Sequence, residues 1–114
     1  NGQQQGPWIT YHPGGKEKAS AGDFVDGLRH GRWIYTHAGG QKKDEGSFQR
    51  GAHSGTWNGW HENGRRRYQG AFKGGKRQGL WIYYKKNGET RLRVTYDQDK
   101  ETARAEAGID PKDH

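Results

Sequence analysis

A Gly-x-Trp triplet returns four times along this chain, as Gly6-Pro7-Trp8, Gly31-Arg32-Trp33, Gly55-Thr56-Trp57 and Gly79-Leu80-Trp81, and leaves little choice of architecture. The steps are 25, 24 and 24 residues, and other columns keep the same spacing. Gly15, Gly40, Gly64 and Gly88 each lie nine residues after the opening glycine, and Phe24, Phe48, Phe72 and Tyr96 close the second half of each unit. Gly22, Gly46 and Gly70 precede that aromatic by two, a place Val94 takes in the last unit. Gly27, Gly51 and Gly75 follow it by three, where the last unit has Asp99. A period of this size marks a repeat protein, in which each unit is one supersecondary element that completes its core only against its neighbours.

Each unit reads as a β-hairpin. Short aromatic stretches, Trp57 to His61 and Trp81 to Lys85, run into Asn63-Gly64 and Asn87-Gly88. Asn-Gly supplies the two positive-φ residues of a type I′ turn. Gly14-Gly15 and Gly39-Gly40 can do the same, and Gly-rich links join one unit to the next. With two-residue turns, counting places Trp33 opposite Gly46, Trp57 opposite Gly70, Gly59 opposite Tyr68 and Tyr83 opposite Leu92. An indole can then lie flat over a residue without a side chain. Alternation of faces puts Phe48, Phe72 and Tyr96 on this same face, which is the expected core. The other face pairs Trp60 with Arg67, Tyr84 with Arg91 and Thr36 with Lys43. Unit one carries an extra residue, for which a bulge is expected.

Composition alone argues the other way. Hydrophobic residues are only 27% and the net charge is +7, with a mean hydropathy of −1.42, values that lean toward disorder. Against this stand 5 Trp, 6 Tyr, 3 Phe and 20 Gly, regularly placed. A buried aromatic contributes roughly 150–250 Å² of contact, so these rings must supply the core that aliphatic residues do not. There is no Cys, which excludes disulfides and thiolate metal sites and leaves the compartment open. No apolar stretch approaches the roughly 18 residues of a membrane span. No signal peptide is read, and the chain begins at Asn1 without Met, as a processed or truncated chain would.

The columns resemble the MORN repeat, specifically its bacterial variant with a G-x-W-x-x-Y-x-x-x-G core, commonly ending in Asn-Gly, and a later aromatic before a Gly-containing link. The resemblance covers about residues 6–100. Thr36 at the Tyr column, and Pro13-Gly14-Gly15 and Ala38-Gly39-Gly40 in place of Asn-Gly, depart from it. It implies an all-β fold: an elongated, twisted antiparallel sheet of about four tandem hairpins. The units fall at 6–30, 31–54, 55–78 and 79–100, after a linker over 1–5 and before a polar cap over 101–114. Ala103, Ala105 and Ala107, with Gly108 and Pro111 as terminators, suit a short helix from about Asp99 to Ala107. Such a segment would shield the sheet edge. Repeats of this kind occur in scaffolds, in membrane-associated proteins and in bacterial proteins described as antitoxin-like, so the family fixes no single ligand.

Charge concentrates in one stretch. Residues 1–64 are net +1, residues 65–93 are net +9 and residues 94–114 are net −3. The cluster can be a solvated face that keeps an open sheet soluble, or a surface for an anionic partner. Its combination with aromatics makes Trp60, Arg67, Tyr84, Arg91, Arg65, Arg66, Lys85 and Lys86 the candidate partner-binding residues. A non-catalytic module that binds a protein, one with acidic groups for instance, is the leading expectation, because repeat sheets offer extended surfaces and Trp, Tyr and Arg dominate interface hot spots. Anionic phospholipid is the alternative and nucleic acid the third. No catalytic or cofactor-binding residue is expected. Ser20, Ser47 and Ser54 lie outside any nucleophile motif, and Asp23, Asp26, Asp44 and Glu45 form no acid–base pair on the sequence. His12, His37 and His61 share one column, but equivalent strands lie about 9.5 Å apart, too far for three imidazoles to converge on one ion.

Overall fold

The computed structural model describes residues 4–106 and is one open antiparallel sheet. Its strands are β1 (Gly6–Tyr11), β2 (Lys18–Val25), β3 (Leu28–Thr36), β4 (Lys42–Gln49), β5 (Ala52–Trp60), β6 (Arg66–Lys73), β7 (Lys76–Tyr84), β8 (Thr90–Asp97) and β9 (Lys100–Glu106). Each strand pairs with the next, so the chain is a continuous meander with extents of 61 × 32 × 16 Å. No helix of the described residues is long and apolar enough to cross a membrane.

The glycines divide the turns into two kinds. The joints between units are the tight ones: both central residues are left-handed at Asp26-Gly27, Arg50-Gly51, Gly74-Gly75 and Gln98-Asp99, the signature of type I′. The Asn-Gly turns differ from the sequence expectation. At Asn63-Gly64 only the glycine has positive φ, and bonds from Gly64 N to His61 O and from His61 N to Arg65 O enclose a loop of three residues. Asn63 spends its side chain on the loop instead, where Oδ1 accepts from Arg65 N at 2.9 Å.

That loop takes one residue from β5, and a bulge at Arg67 gives it back to the ladder. The inner register is therefore as counted: Trp33↔Gly46, Trp57↔Gly70, Gly59↔Tyr68 and Tyr83↔Leu92. The outer pairs move by one. Trp60 faces Arg66, Tyr84 faces Thr90 and Thr36 faces Lys42, in place of Arg67, Arg91 and Lys43. Unit one has its irregularity at the same place, between Thr10 and Tyr11.

The core is a single row of rings on one face. Trp33, Trp57, Trp81, Phe48, Val94 and Tyr96 are buried. Neighbouring rings meet edge to face in sequence across the sheet: Phe24–Trp33, Trp33–Phe48, Phe48–Trp57, Trp57–Phe72, Phe72–Trp81 and Trp81–Tyr96, all at interplanar angles between 81° and 87°. Edge-to-face pairs are worth about 0.5–1.5 kcal/mol beyond their buried area, so a thin sheet gains from this arrangement. Each indole sits on a glycine, but across the joint and not within its own hairpin. A Cβ at Gly22, Gly46 or Gly70 would fall inside the ring of Trp33, Trp57 or Trp81 respectively. The opening glycine of each Gly-x-Trp, at φ +73°, +71° and +79° in Gly31, Gly55 and Gly79, lets the backbone swell there and tips the indole onto the preceding strand.

The alanine-rich segment expected as a helix is strand β9. Gln98-Asp99 turns the chain straight back onto β8, whose open row of amides and carbonyls offers more than an isolated short helix, marginal in water, could supply. Ala105 stands 24 residues after Trp81, so β9 is the first strand of a fifth unit without its indole. Val94, nearly fully buried, takes the glycine place where no ring has to be received. Ala107 and the residues after it lie outside the described residues.

Candidate binding trough

The ring row is not fully covered. Above it runs a trough of about 550 Å³, floored by Trp57, Phe72 and Trp81 and lined by Arg29, His53 and Arg77 on one side and Tyr35, Tyr68 and Tyr83 on the other. The first set is a 24-residue column at the starts of β3, β5 and β7, and alternation aims it at the same face as the tryptophans. Arg29 Cζ lies 5.2 Å from the Trp33 ring centroid and 5.8 Å from that of Phe48. The His53 imidazole packs against Phe48, Trp57 and Phe72 with centroids 4.6 to 4.7 Å away. Arg77 Cζ lies 4.1 Å from the Tyr96 ring, with Nε donating to Asp99 Oδ1 at 2.8 Å.

The repeat breaks in the middle of this trough. The column Thr10, Tyr35, Gly59, Tyr83 loses its Tyr in the third unit, and its cross-strand partners are Ser20, Asp44, Tyr68 and Leu92. These exchanges fit one another. The Tyr68 ring occupies the space over Gly59, and its hydroxyl donates to Asp44 Oδ1 at 2.7 Å. Arg67, the bulge residue, turns to the same side and donates from Nη2 to that oxygen at 3.2 Å. Burial, reinforced by the bond to Asp44, pushes the Tyr68 phenol far above its ordinary range. Burial also raises Tyr35 and, with the Tyr96 hydroxyl beside it, takes Tyr83 to about 12. His53 is shifted down, by burial first and then by the Arg29 charge. At neutral pH the trough thus holds Arg29, Arg67 and Arg77 against one carboxylate. Two cations in it keep room for a further acceptor: Arg29 has no carboxylate partner among the described residues, and the Arg67 side chain, bonded to Asp44, is still 43% exposed.

The residues singled out on the sequence gather at the other long border. Arg67, Tyr84, Lys85, Lys86 and Arg91 line one depression of about 410 Å³ with His61 and Tyr83. Trp60 lines its neighbour with His37, Arg67 and Lys86. On its own face Trp60 is flanked by Lys42 Nζ at 5.3 Å and Arg66 Cζ at 6.0 Å from the ring. Arg65 lies outside both depressions, its guanidinium bonded to the Asn87 carbonyl. The histidine column has a use within the fold. Nε2 of His12, His37 and His61 lies 2.7, 2.8 and 2.9 Å from the carbonyls of Thr36, Trp60 and Tyr84, one unit on. A carbonyl only accepts, so each Nε2 carries the proton and donates. Lys85 fills the column where no further hairpin follows among the described residues. No three His, Asp or Glu side chains of the described residues come together as a metal site.

The trough-side column is not among the residues that the sequence singles out. The 24-residue spacing of Arg29, His53 and Arg77 is the signal that marks it. No protein-family model matches this chain, and no curated protein matches it.

Proposed function

We propose that this chain is a non-catalytic binding module of the MORN type, whose ligand is a segment of a partner protein laid in the aromatic trough. The observation that carries this reading is the break in the repeat. At the middle of the trough Gly59 stands where Tyr35 and Tyr83 stand in the neighbouring units, and the Tyr68 ring fills the space over it and, with Arg67, holds Asp44. The Arg67 side chain is still 43% exposed beside this carboxylate, so its guanidinium can donate to a ligand oxygen as well. Arg29 adds a second cation over an apolar floor. The matching ligand is an acidic side chain next to an aromatic or aliphatic one, and trough volumes of this size suit a few side chains. A second reading keeps the border depression of Arg67, Lys85, Lys86 and Arg91 as a contact for anionic phospholipid, with nucleic acid as a third ligand class of the same charge.

The test is selection of binders from a displayed peptide library, followed by affinities for wild type, Arg29→Ala/Tyr83→Ala and Trp60→Ala at two salt concentrations. Peptides pairing an acidic with an apolar residue should be enriched, and the trough variant should lose at least about tenfold in affinity while Trp60→Ala binds normally. Loss confined to Trp60→Ala would move the site to the outer face. Binding only to vesicles with anionic lipid or to oligonucleotides, with a steep salt dependence, would favour the second or third reading.

A further inference from the structure

His53 interrupts a column of arginines. Arg29 and Arg77 stand 24 residues to either side of it, and all three line the trough. His12, His37 and His61 each use Nε2 on a carbonyl of the following unit. The His53 ring has no hydrogen-bond partner among the described residues. It lies instead among Phe48, Trp57 and Phe72, at centroid distances of 4.7, 4.6 and 4.7 Å, and is half-buried. The charges around it are Arg29 from β3, Arg67 from β6 and Arg77 from β7, against Asp44 from β4. β5 brings no further charged residue. Asp44 is already held by Tyr68 and Arg67, and Arg77 is answered by Asp99. Tyr35, Tyr68 and Tyr83 are neutral phenols at pH 7, their ionisation pushed up by burial. The empty trough therefore favours a neutral imidazole, through burial first and the Arg29 charge next.

Arg29 and His53 converge on one ring. Arg29 Cζ is 5.8 Å from the Phe48 centroid, and the His53 ring is 4.7 Å from the same point. A carboxylate placed there meets a guanidinium that no described carboxylate holds, and it faces the imidazole as well. We propose that His53 sets the charge of the ligand: a carboxylate enters the trough together with one proton from solvent, which the imidazole takes up and donates to the carboxylate oxygen. An opposite charge within about 4–6 Å favours the charged form of a titrating group, and the attraction is stronger where water is partly excluded. The inference rests on the trough being the binding site and adds its regulation, an affinity for carboxylates that rises as pH falls. An uncharged ligand of the same shape gains nothing from the proton. By reciprocity, the factor by which the proton tightens the ligand is the factor by which the ligand tightens the proton.

The probe is hydrocinnamate, a carboxylate on a short arm from a phenyl ring, with the uncharged hydrocinnamide as control. Each is titrated to high millimolar concentration into the isotope-labelled chain at about pH 8 and about pH 5.5, the range in which histidine titrates. The wild type is compared with His53→Phe, which keeps a ring among its neighbours, and with His53→Gln, which keeps a polar group; amide spectra confirm that each is folded. Wild type should bind hydrocinnamate at least about fivefold more tightly at the lower pH, the low end of typical coupling between two sites. The midpoint of the His53 ring titration should rise by the matching factor when the probe is present. Hydrocinnamide should show no such gain, and hydrocinnamate should show none with either variant. The proposal is overturned if a variant gains as much as wild type, if the amide gains equally, or if the His53 titration is the same with and without probe. Trough resonances that move equally at both pH values remove this proposal and leave the trough as the binding site. A probe that leaves the Trp57 indole and the Tyr68 ring unmoved at either pH removes both.

Discussion

The Trp57 indole rests on the face of Gly46, one hairpin back, with Nε1 donating to the Ser47 carbonyl at 3.0 Å. Within the hairpin Trp57 pairs in register with Gly70, whose own open face receives Trp81. Trp33, Trp57 and Trp81 each lock their unit to the one before it in this way, and the joints between hairpins are as closely built as the hairpins themselves.

Valine at Gly70 should accordingly disturb Trp81 and the joint between β6 and β7. Overpacking costs typically about 1–3 kcal/mol, and the obstruction here is a rigid ring, so the upper end is expected. Gly74→Asp is the informative control. Asp26, Arg50 and Gln98 stand at the same turn position with φ between 49° and 52°, so a polar residue fits there and the change should stay within about 0.5 kcal/mol. Thermal melts of both variants check this, and the Trp81 indole resonance should move only in the first.

Most of the inner face was legible because two facts about it are local: alternation along a strand and a glycine opposite a ring. The counted pairs Trp33 with Gly46 and Gly59 with Tyr68 follow from these. The outer face was not, because the loop at Asn63-Gly64 and the bulge at Arg67 each shift the ladder by one residue and cancel beyond Tyr68. A count that crosses both is right on one side of the pair and wrong between them, and so it places Arg67 on the face away from the trough it lines. The C-terminal strand was hidden for another reason. Alanine favours helices by propensity, but Ala105 sits where the repeat needs a strand, and tertiary pairing to β8 outweighs a preference of tenths of a kcal/mol per residue.

The histidine column should behave as an interhairpin staple. His37→Ala removes a donor to the Trp60 carbonyl and is expected to destabilise the sheet by about 1 kcal/mol, the usual net worth of one hydrogen bond. Lys85→Ala, at the same column without a following hairpin, should leave the denaturation midpoint unchanged. Hydrogen exchange of the amides around Trp60 locates the effect at the joint if the staple is real.

Tyr68→Phe tests the centre of the trough. The hydroxyl serves Asp44 at 2.7 Å, and a bond to a charged group is worth about 1.5–3 kcal/mol, part of which Arg67 can recover by closing on the same carboxylate. A loss nearer the lower figure is expected. In an ultraviolet titration of the wild type, the phenol of Tyr83 should ionise at about 12 and that of Tyr68 later still, so both should be absent from the change between pH 9 and 11.

Acid should loosen this protein through His53 before it reaches the carboxylates. Packed against Phe48, Trp57 and Phe72, with Arg29 nearby, the imidazole has a folded pKa below its usual 6.5. The unfolded chain therefore takes up the proton first, and it binds more protons than the folded one at any pH between the two values. Stability is highest above about 6.5 and falls as pH drops toward the lowered folded value, after which this contribution stays constant. The Asp99 carboxyl, held low by Arg77, acts in the same sense but only below its ordinary value of 3.8, so the two windows separate. Melting temperatures between pH 7.5 and 4.5 should decline for the wild type. In His53→Phe, which keeps a ring among its neighbours and cannot titrate, the curve should be flatter across the same interval. An equal decline in both proteins would place the acid sensitivity on a different group and remove His53 from the account.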